Sequence, residues 1–125
     1  MKSICCLVPV TSFCEYDWAT GKAVPKWFAL GKGRPLFFFA GIWRPLFGER
    51  RGEAGEHLRF AFLTTEPNAE VATIYEKAMP VLLLNQDQRE TWLKGSVDDA
   101  LVLQRPALDG TLKIVATGSK KDAAA

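Results

Sequence analysis

The sequence predicts an α+β domain, a curled and mostly antiparallel β-sheet with two or three short helices. β-Branched and aromatic runs broken by Gly, Pro and Ser crowd the N-terminal half, while capped helical stretches fall in the C-terminal half. At 125 residues the chain makes one domain, long enough to bury roughly two thirds of its unfolded surface. Hydrophobic residues at 48% and charged residues at 24% exclude a disordered or collagen-like polypeptide.

Cys5 to Val10 and Phe13 to Trp18 are rich in β-formers and separated by Thr11-Ser12, so two strands or one bent strand open the chain. In the second run Phe13, Glu15 and Asp17 share one face, and Cys14, Tyr16 and Trp18 the other. Ala19 to Lys22 reads as a turn and Pro25 to Leu30 as a strand. Gly31 to Arg34 reads as a tight hairpin loop, with Leu36 to Trp43 as the returning strand of a meander. From Arg44 to Glu56 the composition shifts to Pro, Gly and charge, the mark of a long surface loop before a strand from Leu58 to Thr64.

Thr65-Glu66-Pro67-Asn68 offers a cap, an acid and a proline in the first turn of a short helix that continues from Ala69 to Tyr75. Val81 to Leu84 has the composition of a buried strand. Asn85 caps Gln86 to Lys94, and Gly95 ends that helix. Ser96-Val97-Asp98-Asp99 resembles a capping box for a helix reaching Gln104, Arg105-Pro106 stops it, and Leu112 to Thr117 is a last strand. Residues 1–117 are expected to form a single domain, with 118–125 as a flexible tail.

Charge is unevenly placed. Residues 1–52 carry eight Lys or Arg against three acids, a balance of +5, and the remainder carries eight against eleven, a balance of −3. The basic half also holds Trp18, Trp27, Trp43 and six of the eight Phe, which suits either a strand platform for phosphates and bases or a sheet core with a solvated basic rim. No apolar run approaches the length of a membrane span. The opening Met1 to Pro9 meets Pro9, Glu15 and Asp17 too early for a signal peptide. Three cysteines (Cys5, Cys6, Cys14) without metal-ligand spacing read as reduced thiols in a cytoplasm.

Glu15 is the sharpest single residue, because a carboxylate within Phe13-Cys14-Glu15-Tyr16 must take one of two courses. It reaches solvent, alone or paired with Lys22 or Lys26, or it lies desolvated with a raised pKa and can shuttle protons. A helix N-terminus near Asn68 could receive a phosphate that Lys77 neutralises. His57, the only histidine, ends a charged segment without a partner at catalytic spacing and reads as solvent-exposed. Phosphate-binding Gly-rich loops, nucleophile elbows and two-histidine metal motifs are absent.

Four blocks in order carry a resemblance: Cys6-Leu7-Val8-Pro9 through Phe13-Cys14-Glu15-Tyr16, Pro35 to Trp43, Phe62 to Asn68, and Lys77-Ala78-Met79-Pro80-Val81-Leu82-Leu83. Together they resemble the SRAP family, the SOS response-associated peptidases, in its phage-type branch. The resemblance implies a protein that binds single-stranded DNA and links covalently to abasic sites; the chain is also expected to be monomeric and cytoplasmic, without cofactor or metal. In that chemistry the α-amine of an N-terminal cysteine attacks the ring-opened sugar aldehyde, and the thiol of the same residue closes a thiazolidine. A glutamate and a histidine move the protons.

By the same resemblance Glu15 matches the catalytic glutamate, and Tyr75 stands at the histidine position. Lys77 falls near the phosphate-contacting residue that precedes Met-Pro; Asn68, and Arg34 and Lys26 of the basic aromatic half, are also expected to contact DNA. A phenol, with a reference pKa of about 10, is a poorer shuttle at neutral pH than an imidazole. The family's N-terminal block is missing, and Cys5 and Cys6 lie several residues from the first amine. The expectation is therefore an SRAP-like domain, incomplete at its N-terminus and without covalent activity. The alternatives are a non-catalytic single-stranded DNA-binding remnant and a non-functional fragment.

Overall fold

The computed structural model describes residues 4–50 and 53–123. In chain order the strands β1 (Cys5–Val10), β2 (Phe13–Asp17), β3 (Val24–Ala29), β4 (Phe37–Arg50), β5 (Glu53–Phe62) and β6 (Thr64–Thr65) lead to helix α1 (Ala69–Ala72). Then come β7 (Met79–Pro80), β8 (Leu82–Leu83), α2 (Gln86–Lys94), α3 (Val97–Val102) and β9 (Lys113–Thr117). The expected α+β class is the one observed: antiparallel sheets with three short helices among the described residues.

β4 is the spine of the larger sheet. β1 lies antiparallel to its first half, from Val10↔Phe37 to Cys5↔Ile42, and β5 to its second, from Gly41↔Phe62 to Arg50↔Glu53. β8 joins through Phe38↔Leu83 and Phe39↔Leu82. Ala40 N–H donates to Val81 O at 3.0 Å, Leu63 N–H to Ala40 O at 2.9 Å and Val81 N–H to Leu63 O at 2.9 Å, which locks the junction. A second sheet has the order β2-β3-β9, and β6 pairs with β7.

Both faces of the first half of β4 are buried, so Phe37 to Ile42 reads as an unbroken apolar run instead of an alternating one. Phe37 and Phe39, with Val10 from β1, face a core shared with Phe13, Phe28, Val71, Met79 and Leu112. Ala40 faces the opposite core, closed by Val81, Leu83, Trp92 and Ala100. Gly41 is required at the crossing with β1, since a Cβ there would stand 2.8 Å from both Cys6 Sγ and Val8 Cγ2. Trp92 Nε1–H donates to the carbonyls of Cys6 and Gly41, both at 3.0 Å, and staples α2 to that crossing.

Two expectations change. Gly31 to Arg34 does not close a hairpin: β3 pairs with β2 and β9, and β4 belongs to the other sheet. A strand buried on both faces finds more apolar contact between the two cores than beside its sequence neighbour. Most of the segment from Arg44 to Glu56 is not a loop but the arms of the β4–β5 hairpin. Beyond Ile42, β4 has only β5 beside it among the described residues, so no packed third neighbour imposes an apolar alternation on the sequence. The backbone of His57 pairs with Leu46 in this hairpin; its side chain lies outside the described residues.

The caps fall at the expected residues. Asn85 Oδ1 accepts from Gln88 N–H and Ser96 Oγ from Asp99 N–H, opening α2 and α3. Segment 118–123 is tied to the second sheet. Trp27 Nε1–H donates to Ser119 O at 2.8 Å, and Arg34 forms an ion pair with the buried Asp122 at 2.8 Å.

Candidate functional site

The β2–β3 hairpin sets Glu15 directly opposite Lys26. Neither Lys26 nor Lys22 forms an ion pair with it among the described residues. The carboxyl is instead half-buried, and that burial pushes its pKa up. Glu15 thus lies between the two courses: it is unpaired among the described residues and only partly withdrawn from solvent.

Glu15 and Tyr75 line one pocket of about 250 Å³, walled by Phe39, Phe62 and Met79. Tyr75 arrives there because α1 ends after a single turn. Ile74 and Tyr75 N–H still donate to Val71 O at 2.9 and 2.8 Å, after which the chain drops into β7. Asn68 N–H donates to Met79 Sδ at 3.2 Å and ties the start of α1 to the pocket wall. Tyr75 also borders an adjoining hollow of about 510 Å³, lined by Trp18, Glu76 and Lys77. Both Trp18 and Lys77 are exposed there.

The other residues expected to meet DNA have different surroundings. Asn68 is buried: its Oδ1 accepts from Val71 N–H as a helix cap, and its Nδ2 donates to Glu70. The phosphate-receiving helix terminus expected beside it does not exist, because α1 has four residues and Ala69 N–H already donates to Asp109 at 2.8 Å. Arg34 sits at a positive φ of 50°, and Asp122 engages its guanidinium through two hydrogen bonds of 2.8 and 3.0 Å. Lys26 is half-buried on β3 beside Glu15, so the exposed Lys77 is the predicted cation nearest open solvent at the site.

The cysteines divide between sites. Cys5 lines a separate apolar groove with Trp92 and Leu101. Cys14 lines the Glu15 pocket, where burial and the neighbouring carboxylate raise its thiol pKa against a backbone hydrogen bond from Lys26. That thiol stays protonated at neutral pH and is a weak nucleophile. Among the described residues no group of three or more His, Cys, Asp or Glu side chains could hold a metal ion, and no helix is long and apolar enough to cross a membrane. Phe62 was missed in the sequence because its place in the pocket depends on the β4–β5 register, which sets it opposite Gly41.

The fold and site define a class: an antiparallel α+β domain whose half-buried carboxyl opens beside exposed aromatic rings and a lysine. The family model for SOS response associated peptidases (SRAP) matches residues 1–118, and the chain belongs to the SRAP family. It is similar to a crystal structure of a protein from Bacteroides thetaiotaomicron, with 27% identity and a TM-score of 0.73 over 88% of this chain and 47% of that one. A protein from Bordetella bronchiseptica, 24% identical, shares the fold with a TM-score of 0.69 over 95% of this chain and 56% of its own. The chain spans about half the length of these solved proteins. No curated protein matches it.

Proposed function

We propose that this chain holds single-stranded DNA across the Glu15 pocket, with Lys77 as a phosphate contact and the half-buried Glu15 carboxyl as a hydrogen-bonding group facing the strand. The observation that carries this reading is the meeting of Glu15 and Tyr75, remote in sequence, in one pocket, with Trp18 and Lys77 in the hollow next to it. A carboxyl whose burial raises its pKa ionises less readily than an exposed one and so repels a passing phosphodiester less. Exposed rings next to a lysine supply base stacking and phosphate attraction without sequence readout.

Covalent capture of an abasic aldehyde as a thiazolidine needs an amine and a thiol on one residue. Cys5 and Cys6 stand within β1 and Cys14 within β2, so the nitrogen of each is a peptide amide. None of these three cysteines can close that ring, and the role proposed for the described residues is non-covalent holding of the strand. The test incubates the protein with labelled single-stranded DNA, intact or carrying an abasic site, and runs native and denaturing gels. Expected are salt-sensitive complexes on the native gel, weakened by Lys77→Ala, and no adduct after denaturation. A denaturation-resistant adduct abolished by mutating Cys5 or Cys6 overturns the non-covalent reading, and absence of binding at low salt overturns the DNA reading.

A further inference from the structure

Among the described residues, neither core draws a side chain from β4 beyond Ile42 or from β5. The fourteen-residue strand β4 of this hairpin has a contour of about 46 Å at roughly 3.3 Å per residue. A domain of this size has a radius of gyration of only about 14 Å. On one face of the hairpin Trp43 stands directly opposite Phe60, and Gly41 opposite Phe62. These rings are exposed, Phe60 by 67%, Phe62 by 43% and Trp43 by 36%. Phe62 then packs on Phe39 with centroids 4.8 Å apart, and both belong to the wall of the Glu15 pocket. The aromatic row is continuous from the hairpin into the site.

The other face carries an electrostatic irregularity. Arg44 stands directly opposite Arg59, both exposed, and neither meets a carboxylate among the described residues. Like charges directly opposite across two strands are destabilising. A polyanion running along the opposite, aromatic face stays within about a Debye length of both guanidinium groups and lessens that repulsion, while its bases find π-faces on the face it follows.

We propose that the Trp43–Phe60–Phe62 face is a stacking track that extends the single-stranded DNA footprint beyond the Glu15 pocket, with Arg44 and Arg59 attracting the phosphates. This rests on the proposed DNA-holding function and adds where the flanking nucleotides run. The track accepts any base sequence, since every base has a π-face.

The experiment compares the affinities of the full chain for oligothymidylates of about four and about twelve nucleotides, the short and longer ends of typical single-strand sites. Phe60→Ala and Phe60→Leu should each weaken the longer strand by about tenfold and leave the shorter one nearly unchanged, and Phe60→Trp should restore the difference. Arg44→Gln should shallow the salt dependence for the longer strand by about 0.7 in log–log slope. Because Phe60 is exposed, its variants should keep the parent far-UV circular dichroism. Equal affinities of parent and Phe60→Ala for the longer strand overturn the track while leaving the pocket reading intact. Failure of the parent to bind either strand overturns both.

Discussion

Glu15 carries a pH dependence whose sign follows from its burial. Its carboxyl titrates above the ordinary range in the folded chain, so the folded state binds the proton more tightly than the unfolded one. Stability then falls as pH rises from about 4.3 through the folded value, and the loss persists above it. Glu15→Gln should flatten that part of the stability curve and leave the protein at least as stable as the parent at pH 7, which thermal melts between about pH 4 and pH 7 would check. A melting temperature for Glu15→Gln clearly below the parent's at neutral pH would contradict this partial desolvation. The same residue shows how far sequence reaches at this scale. An acid among Phe13, Cys14 and Tyr16 is conspicuous, but whether it meets Lys26 or a pocket depends on Phe39 and Phe62, which belong to the other sheet.

At the scale of elements, α1 is too short to stand by its own hydrogen bonds. Glu70 holds it by accepting from Gly110 N–H at 3.0 Å, Leu112 N–H at 2.9 Å and Asn68 Nδ2–H at 3.0 Å, while Asp109 accepts from Ala69 N–H. Burial opposes ionisation of Glu70, but those hydrogen bonds outweigh it and its pKa is lowered. A depressed carboxylate stabilises the fold above its unfolded pKa, and that contribution disappears as pH falls through the folded value. Glu70→Gln should cost on the order of 1 kcal/mol at neutral pH, discounted for solvent, and should remove part of the acid sensitivity. Hydrogen exchange at Val71, Ala72 and Tyr75 would quicken; unchanged protection there would contradict the clasp. The caps at Asn85 and Ser96 were legible because each bond lies within a few residues of its cap, whereas Asn68, expected to contact DNA, turned out to cap α1. The β3–β4 separation and the hairpin arms were not, since strand pairing is decided by what covers each face.

At the scale of the molecule, two cores lie on opposite faces of one sheet, and segment 118–123 latches onto the other sheet through Trp27 and Arg34. Removing residues 119–125 deletes the acceptors for both latches. A lost hydrogen bond of about 1 kcal/mol lowers the melting temperature by a few degrees, so the shortened chain should melt at least that much earlier by calorimetry. Unaltered melting would show that the latch contributes nothing. The family was legible through the order of its blocks, whereas the joining of Glu15 to Tyr75 needed the three-dimensional path, because local periodicity carries no record of partners so distant along the chain.

The spine strand also sets the order of assembly. β4 takes partners from β1 before it, β5 directly after it and β8 further on, so only its hairpin with β5 is a local contact. Chain closure between distant segments is slow because the entropy of the intervening loop is lost before any contact compensates it. During synthesis the β4 edge at Phe38 and Phe39 stays unpaired until Leu82 and Leu83 have left the ribosome, a window in which apolar strands from neighbouring nascent chains compete for the same hydrogen bonds.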